Sequence, residues 1–299
     1  MVPRCALQVS LRRSPLPASG GKPSLNHMDL LAMLTRKPPP AATFPDGRVR
    51  FAVGDIHGRA DLLEEMLNRL EARAVEELRP AGEPVVIFLG DYVDRGRESA
   101  RVLDLLIAGR PAGYERRYLK GNHEQSMLAF LEDPVANRTW LMHGGNETLI
   151  AYGIQPPSPL HAKEADWAAA GAALREALPA AHLHFLTELE RYIAIGDYVF
   201  AHAGVDPARP VHKQTDRDLF WIRARFLNSR RRLKHRVVHG HTPVDQPYAD
   251  RRRVAVDTGA YASGVLTAAR LEATEVEFLS VSDRDIRAAR AALGEGVQF

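Results

Sequence analysis

Three apolar segments in the first half of the chain each end in a glycine followed by Asp or Asn, and a polar or helical stretch follows each. The segments are predicted strands at residues 49–53, 84–89 and 117–119, and the turns after them begin at Gly54, Gly90 and Gly121. Leucines at helical spacing follow the first turn, and a second helix is predicted over 99–108. This order predicts a βαβαβ unit, in which parallel or mixed strands carry helices on their faces.

The second half of the chain is predicted to be rich in strands. Segments 191–195 and 198–202 flank the two-residue turn Gly196-Asp197, a pattern that predicts a hairpin. Further strands are predicted at 236–239, 254–257, 265–271 and 275–281, with a final helix over 283–293. We therefore expect an α/β fold, a central two-sheet β-sandwich of mixed strands flanked by helices. It would form one catalytic domain over 49–299, with a helical insert at about 125–188.

Residues 1–48 differ from this body in composition. They are rich in Pro, Ser and Arg, show no sustained periodicity, and hold seven Lys or Arg against two acidic residues. We interpret them as a disordered basic N-terminal extension, with either Met1 or Met28 as the true start. Because the rest of the chain carries a net charge of −2, the basic pI of about 9.1 belongs to the extension. It does not argue for a nucleic-acid partner.

The cysteine content and hydropathy of the chain indicate the cellular compartment in which it works. The chain has one cysteine, Cys5, which excludes an intrachain disulfide and a zinc-thiolate cluster. Apolar runs such as residues 85–89 are far shorter than the ~20 residues that cross a bilayer. We therefore expect a cytoplasmic protein without a membrane partner.

Glycine-flanked polar residues recur at five predicted strand ends. Besides the three turns above, they occur at residues 201–204 and 239–242. Ligands of α/β proteins bind beyond the carboxyl ends of strands, where such loops converge. Asp, His and Asn supply hard or borderline oxygen and nitrogen ligands, which suit Mn²⁺, Fe or Zn²⁺. The pattern indicates a metal site that five loops assemble.

These motifs carry a resemblance to a known family. The sequence GDIHG at 54–58, then GDYVDRG at 90–96 and GNHE at 121–124, resembles the calcineurin-like metallophosphoesterase superfamily. Within it, the chain is most similar to the bacterial and bacteriophage-type phosphoprotein phosphatases of the serine/threonine type. The similarity extends from about residue 49 to 271. It implies a metal-dependent phosphoester hydrolase.

The resemblance implies a set of metal ligands. Asp55 and His57 would hold a first cation, Asp91 would bridge two cations, and Asn122, His202 and His241 would complete the second site. The cofactor implied is a pair of divalent metal ions, Mn²⁺ first, with Fe or Zn²⁺ as alternatives. In such enzymes a hydroxide activated by the cations attacks phosphorus in line.

The resemblance also implies the remaining catalytic groups. His123 would be the general acid that protonates the leaving alkoxide, and Asp94 would orient and charge it. Arg95 would bind phosphate oxygens, as would Arg223, for which Arg225 is an alternative. Trp140 with Gly144-Gly145 resembles an element that supports the site in phage-type members.

Three residues leave their roles open or depart from the family pattern. Lys120 stands where phage-type members often have Arg before GNHE, and a lysine lacks the bidentate fork of a guanidinium. His239, two residues before His241, is expected to be structural. Tyr261 lies in a late loop whose reach to the site the sequence does not determine.

Three functions remain after this comparison. The first is a phosphatase for phosphoserine and phosphothreonine proteins or small phosphoesters. The second is a symmetrical diadenosine-tetraphosphate hydrolase that also acts on capped RNA, the one nucleic-acid partner considered. That branch generally lacks the Asp94-Arg95-Gly96 triplet and has Asp in place of Glu124, which favours the phosphatase. The third is a non-catalytic docking module, against which the complete set of ligands argues.

Overall fold

A computed structural model describes residues 42–158 and 160–292 of the chain. The predicted disordered extension lies outside the described residues up to position 41. Its last part, 42–48, lies against the body: the ring of Phe44 stacks on Tyr198 at 4.4 Å between centroids, and the guanidinium of Arg50 covers Phe44 at 4.2 Å.

Ten strands and ten α-helices are assigned among the described residues. The strands are β1 (Arg50–Val53), β2 (Val85–Phe88), β3 (Glu115–Tyr118), β4 (Ile193–Ile195), β5 (Tyr198–Phe200), β6 (Arg236–His239), β7 (Tyr248–Ala249), β8 (Arg253–Ala255), β9 (Val265–Glu272) and β10 (Glu275–Ser282). The helices are α1 (Ala60–Arg73), α2 (Ser99–Ile107), α3 (Asn122–Glu132), α4 (Asn146–Ala151), α5 (Glu164–Ala177), α6 (Ala180–Thr187), α7 (Asp216–Trp221), α8 (Ala224–Leu227), α9 (Ala260–Ser263) and α10 (Asp283–Ala292).

The first sheet has the order β10-β9-β1-β2-β3. Strands β1, β2 and β3 are parallel, as the βαβαβ pattern predicts, and α1 and α2 connect them. Strand β9 pairs antiparallel with both β1 and β10. The sheet is therefore mixed, because a late hairpin of the chain extends a parallel unit from its beginning.

The second sheet has the order β4-β5-β6-β8-β7. The predicted hairpin is present, since β4 and β5 pair antiparallel around Gly196-Asp197. Strands β5, β6 and β8 are parallel. The short strand β7 was not predicted, because two residues are too few to show an alternating pattern.

The two sheets share one apolar layer, and the helices cover the outer face of the first sheet. Along β1, Ala52 faces Phe200 and Val238 of the second sheet, whereas Phe51 and Val53 pack with the leucines of α1. This alternation is the period of two that a strand imposes on its side chains. Strands buried on both faces explain the continuous apolar runs in the sequence. The predicted two-sheet α/β architecture is confirmed.

The predicted helical insert at 125–188 contains most of α3 and all of α4, α5 and α6. Among the described helices, none has the length and apolar character needed to cross a membrane. Strands β1, β2 and β3 run parallel, so that the loops after them lie at one edge of the first sheet. The loops after β5 and β6 reach the same place, since His202 after β5 contacts the carbonyl of Leu89 after β2 and also contacts His241 after β6.

Candidate active site

The loops at this edge hold unusual backbone conformations. Six non-glycine residues among those described have a positive φ, and five of them lie in the predicted motifs: His57, Asp91, Asp94, Arg95 and His241. The left-handed region is costly for residues with a Cβ, and such conformations concentrate at functional sites. The surrounding fold therefore holds these five residues against local preference.

Asp91 lies at the centre of the site and is buried. Its Oδ2 is 3.3 Å from Nε2 of His202 and 3.6 Å from Nε2 of His57. Its Oδ1 accepts a hydrogen bond of 3.1 Å from the backbone N–H of His123. A single carboxylate thus faces imidazoles that are supplied by loops far apart in the sequence.

The backbone orients two of these imidazoles. Nδ1 of His57 is 3.0 Å from the carbonyl of Val93, and Nδ1 of His202 is 2.9 Å from the carbonyl of Leu89. When Nδ1–H donates to a carbonyl, Nε2 is left as an acceptor that can bind a cation. Both rings therefore present the appropriate nitrogen toward Asp91.

The remaining predicted ligands of the second cation are gathered around His202. Its Nε2 is 3.0 Å from Oδ1 of Asn122 and 3.2 Å from Nδ1 of His241. Two groups, His57 with Asp91 and His123, and Asp91 with His202 and His241, have ligand atoms that all lie within 4.8 Å of one another. Nε2 of His241 is buried without a hydrogen-bond partner. These oxygen and nitrogen donors fit a pair of divalent cations that share Asp91.

Asp55 lies beside this cluster but belongs to neither group. Its two carboxylate oxygens accept the backbone N–H of His241 at 3.0 and 3.2 Å. Burial, followed by the charge of Asp257, raises the pKa of Asp55 well above its ordinary value. Asp257, whose pKa burial also raises, is a further carboxylate at the site that the sequence analysis did not single out.

The backbone comes very close to both carboxylates. A Cβ added at Gly121 would overlap the carboxylate of Asp91, and one added at Gly240 would overlap that of Asp55. Glycine is therefore required at both positions because any side chain would displace a candidate ligand.

The surroundings of the site shift the pKa values of its imidazoles in opposite directions. Burial lowers the pKa of His57 to about 3 and that of His241 to about 2. For His202 burial also acts to lower the pKa, but the charges of Asp91 and Asp55 outweigh it and raise the pKa to about 10. His57 and His241 are thus neutral at pH 7, whereas His202 shares its surroundings with two carboxylates that favour its cation.

His123 and Asp94 form a buried pair. Nδ1 of His123 is 2.7 Å from Oδ2 of Asp94. Burial acts to lower the pKa of His123, but the charge of Asp91 and the hydrogen bond to Asp94 outweigh it and raise the pKa. The opposite ring nitrogen, Nε2, faces Asp91 and is 3.9 Å from its Oδ2.

Two residues of the insert hold the Asp94 carboxylate. The indole N–H of Trp140 donates to Oδ2 at 2.7 Å, and the hydroxyl of Thr148 donates to Oδ1 at 2.6 Å. The resemblance associated Trp140 with the site but did not predict this contact. Thr148 was missed, and a lone threonine in a helix carries no local signal that could have found it.

Glu124 is the third residue whose part was not foreseen. Its carboxylate is fully buried and accepts four backbone N–H groups, from Gly121 at 2.8 Å, Asp91 at 2.9 Å, Tyr92 at 2.7 Å and Val93 at 3.3 Å. It therefore ties the loop after β2 to the loop after β3. Its position within the GNHE motif marked Glu124 as part of the site, but the sequence did not show which groups it contacts.

The arginines lie at the rim of the site. Nη2 of Arg95 is 3.1 Å from Nε2 of His123, and its guanidinium covers the ring of Tyr261 at 4.6 Å. The Tyr261 ring also meets His57 edge-on at 5.3 Å between centroids, so the tyrosine does reach the site. Arg223 is exposed, and its charge contributes to the lowered pKa of His241.

Arg225, the alternative to Arg223, is already paired with a carboxylate. Arg225 pairs with the buried carboxylate of Asp206 at 2.9 Å, which commits its guanidinium elsewhere. His239 packs edge-on against Phe226 at 5.1 Å, and burial lowers its pKa to about 4, consistent with a structural residue. Lys120 is half-buried, and its backbone N–H bonds to the carbonyl of Glu190.

Two known proteins are similar to this chain over about three quarters of its length. Serine/threonine-protein phosphatase 1 of Salmonella typhimurium is 29% identical over 227 residues, covering 74% of this chain and 91% of the relative. A bis(5'-nucleosyl)-tetraphosphatase of Geobacillus thermodenitrificans, named as asymmetrical, is 29% identical over 240 residues, covering 73% and 88%. The phosphatase and the tetraphosphatase are thus equally identical in sequence to this chain.

A solved structure shares the fold. It is named provisionally as a diadenosine tetraphosphatase, and it matches with a TM-score of 0.53 and 20% identity over 81% of this chain and 98% of its own. The family description "Calcineurin-like phosphoesterase" matches residues 51–265, which include all five site loops. With its converging carboxylates and imidazoles, this chain belongs to the calcineurin-like phosphoesterase family and is a metallophosphoesterase hydrolase.

Proposed function

We propose that this chain is a dinuclear metal-dependent phosphatase that removes phosphate from phosphoserine and phosphothreonine. The observation that carries the proposal is the buried His123–Asp94 pair, with 2.7 Å between Nδ1 and Oδ2. An alkoxide is a poor leaving group and needs a proton as it departs, whereas a nucleotide leaves a phosphoanhydride as a stable anion. A built-in acid is therefore most useful on a phosphate monoester.

The metal pair would lie on the two sides of Asp91. Asp55 and His57 on one side, and Asn122, His202 and His241 on the other, are the proposed ligands. When bound, two divalent cations supply a nucleophile at neutral pH and offset the charge of the phosphate. The absence of thiolate ligands in this set favours Mn²⁺, with Fe or Zn²⁺ as alternatives.

His123 would deliver the proton from Nε2 once the guanidinium of Arg95, which is 3.1 Å from that nitrogen here, turns to the substrate's phosphate. Asp94 holds Nδ1 and stabilises the imidazolium, while Trp140 and Thr148 keep the Asp94 carboxylate from rotating. This is the arrangement in which a carboxylate fixes both the tautomer and the orientation of a catalytic imidazole. Proton donation and its geometry thus come entirely from the chain's own side chains.

Arg95 and Arg223 would hold the substrate's phosphate. Guanidinium groups present forked donors that match phosphate oxygens. The guanidinium of Arg95 contacts Nε2 of His123, and the charge of Arg223 acts on His241. The two guanidinium groups therefore lie beside the candidate catalytic and metal-binding residues. Both would also stabilise the negative charge of the transition state.

A second candidate is hydrolysis of a dinucleoside tetraphosphate. The tetraphosphatase of Geobacillus thermodenitrificans is as similar to this chain as the phosphatase of Salmonella typhimurium, which favours keeping it. The resemblance in sequence had suggested a symmetrical enzyme of this kind, whereas the relative is named as asymmetrical.

The test is a substrate panel with the full chain loaded with Mn²⁺. A phosphothreonine peptide, p-nitrophenyl phosphate and diadenosine tetraphosphate would be compared by phosphate release and product chromatography. We expect turnover of the peptide and of p-nitrophenyl phosphate, and none by an Asp91→Asn variant prepared in parallel. Turnover of the dinucleotide alone would overturn the proposal, and no turnover of any substrate would leave only the non-catalytic module.

A further inference from the structure

His182, a buried histidine outside the candidate site, is held between a tyrosine and an aspartate. Its Nδ1 is 2.7 Å from the hydroxyl of Tyr152, and its Nε2 is 2.9 Å from Oδ1 of Asp104. A carboxylate only accepts, so Nε2–H donates to Asp104, and Nδ1 of the neutral ring accepts from the tyrosine hydroxyl. His182 lies in α6, Asp104 in α2 and Tyr152 directly after α4. One imidazole therefore joins three helices.

Helices α2 and α4 also meet at the carboxylate of the candidate acid pair. Ser99 begins α2, and its hydroxyl is 3.0 Å from the backbone nitrogen of Asp94 and 3.0 Å from the hydroxyl of Thr148 in α4. The Thr148 hydroxyl donates to Oδ1 of Asp94 at 2.6 Å. All three residues are fully buried. The two helices are thus joined twice, at Asp94 and, farther along both, at His182.

The two junctions lie little more than one helical turn apart. Asp104 follows Ser99 by five residues, or about 7.5 Å along α2. Tyr152 follows Thr148 by four residues, or about 6 Å along α4, and its N–H donates to the carbonyl of Thr148 at 3.2 Å. Because α4 has only six residues, it is too short to be stable by itself and depends on tertiary contacts. The hydroxyl of Tyr152, bonded to His182, is therefore one of the groups that fix the position of Thr148.

We propose that His182 is a positioning residue for the general acid His123. Both ring nitrogens of His182 are occupied, so it acts through the helices and not on the substrate. By tying the end of α4 to α2, it keeps the hydroxyl of Thr148 on the carboxylate of Asp94. That carboxylate in turn lies 2.7 Å from Nδ1 of the acid. The inference deepens the proposed function and rests on it, since His123 must act as an acid.

Leaving-group dependence tests this role in the Mn²⁺-loaded full chain. The acid matters for an alkyl phosphate and little for p-nitrophenyl phosphate, whose leaving group departs without a proton. Tyr152→Phe keeps the ring and removes the hydroxyl that bonds His182. We expect kcat for the alkyl phosphate to fall by about 3- to 10-fold, less than the roughly 10- to 100-fold cost of directly losing a hydrogen bond to a carboxylate. For p-nitrophenyl phosphate kcat should stay unchanged.

Two comparisons separate positioning from general destabilisation. His182→Leu should reproduce the loss, whereas His182→Gln, whose amide can both donate and accept, should retain most of the activity. In a Thr148→Val background the path to Asp94 is already broken. Adding Tyr152→Phe there should cause no further loss of kcat for the alkyl phosphate, although the free energy of unfolding should still fall.

Tyr114→Phe is the matched control. The hydroxyl of Tyr114 is also buried and donates to the carbonyl of Leu70 at 2.9 Å. Its removal should lower stability but leave the ratio of the two kcat values unchanged. The proposal would be overturned by a matching change of that ratio in the control. Equal losses on both substrates in Tyr152→Phe, or a full second loss in the Thr148→Val background, would overturn it as well.

NMR gives a readout that does not depend on turnover. In the full chain loaded with diamagnetic Zn²⁺ and isotopically labelled at its histidines, the signal of the proton between Nδ1 of His123 and Asp94 would be followed. Tyr152→Phe should shift or broaden that signal, and Tyr114→Phe should not. An unchanged signal in Tyr152→Phe would overturn the positioning role even in an active phosphatase. A shifted signal without any phosphatase activity would count against the proposed function alone.

Discussion

Glu124 accepts the backbone N–H of Asp91 at 2.9 Å, and the same carboxylate oxygen accepts the N–H of Gly121 at 2.8 Å. The fully buried carboxylate thus joins two loops that follow neighbouring parallel strands. It also contacts the backbone, not the side chain, of the central aspartate. The N–H of Asp91 is thereby satisfied, while its Oδ2 faces the imidazoles of the site and its Oδ1 accepts the backbone N–H of His123.

Replacing Glu124 with Gln should therefore weaken the fold and the site together. An amide offers one acceptor oxygen in place of two and turns an NH₂ group toward backbone donors. We expect unfolding in urea to lose about 1–3 kcal/mol, the cost of unsatisfied buried polar groups, and Mn²⁺ affinity to fall. Glu132→Gln, at an exposed position of the same helix, should change stability by less than about 0.5 kcal/mol. Equal effects of the two substitutions would contradict this role of Glu124.

Asp91→Asn tests whether one carboxylate serves both cations. The amide has the same shape but lacks the charge that offsets the repulsion between two dications. We expect activity to be abolished and metal content, measured by mass spectrometry of the purified protein, to fall below that of the wild type. Unchanged metal stoichiometry would show that Asp91 does not bridge.

His123→Asn tests proton donation. Loss of a general acid lowers kcat by roughly 10²–10⁴. The loss should be largest for an alkyl phosphate and small for an aryl phosphate whose leaving group needs no proton, with the metal content retained. A loss of equal size for good and poor leaving groups would argue that His123 acts through binding.

Trp140→Phe tests the support of the acid. The substitution keeps an aromatic ring at this position but removes the indole N–H that donates to Asp94 at 2.7 Å. A hydrogen bond to a charged group contributes about 1.5–3 kcal/mol, so kcat on an alkyl phosphate should fall by about 10- to 100-fold. Its pH profile should shift as well, because Asp94 then holds the imidazolium less firmly. Trp167→Phe serves as the control, and a matching loss there would indicate a general effect on the fold.

Cation binding should depend on pH through His202. The charges of Asp91 and Asp55 outweigh burial and raise its pKa to about 10, so the metal-free protein carries a proton there at neutral pH. A cation must displace that proton, and its affinity should therefore rise with pH toward 10. Binding of Mn²⁺ in weakly buffered solution should release protons, and His202→Asn should release fewer. Proton release that is the same in both proteins would contradict this origin.

The sequence was informative wherever the signal was local. Apolar strands followed by Gly-Asp or Gly-Asn predicted the parallel β1-β2-β3 unit, and the turn Gly196-Asp197 predicted the β4-β5 hairpin. Motifs at strand ends also predicted that residues as distant as Asp55 and His241 would meet. Parallel strands deliver their carboxyl ends to one edge, so this convergence of the loops was predictable from the order of the motifs.

Contacts between distant segments could not be predicted in this way. Thr148 on Asp94, the indole of Trp221 on Gln125 and Tyr261 against His57 each join residues 54 to 204 positions apart. Neither hydrophobic periodicity nor turn chemistry carries information about such pairs. The choice between Arg223 and Arg225 was of the same kind, because only the buried Asp206 shows which guanidinium is already paired.

By itself, the sequence predicted the order of all strands except β7, the chemical character of the candidate site and the loops that supply it. These properties follow from short-range backbone preferences and from the ligand chemistry of Asp, His and Asn. The tertiary structure alone decided which side chains orient the candidate ligands, which carboxylate joins the loops and what lies beside the candidate site. Those outcomes depend on the packing of two sheets and an insert, in which each contact is selected by the shape and burial of all its neighbours.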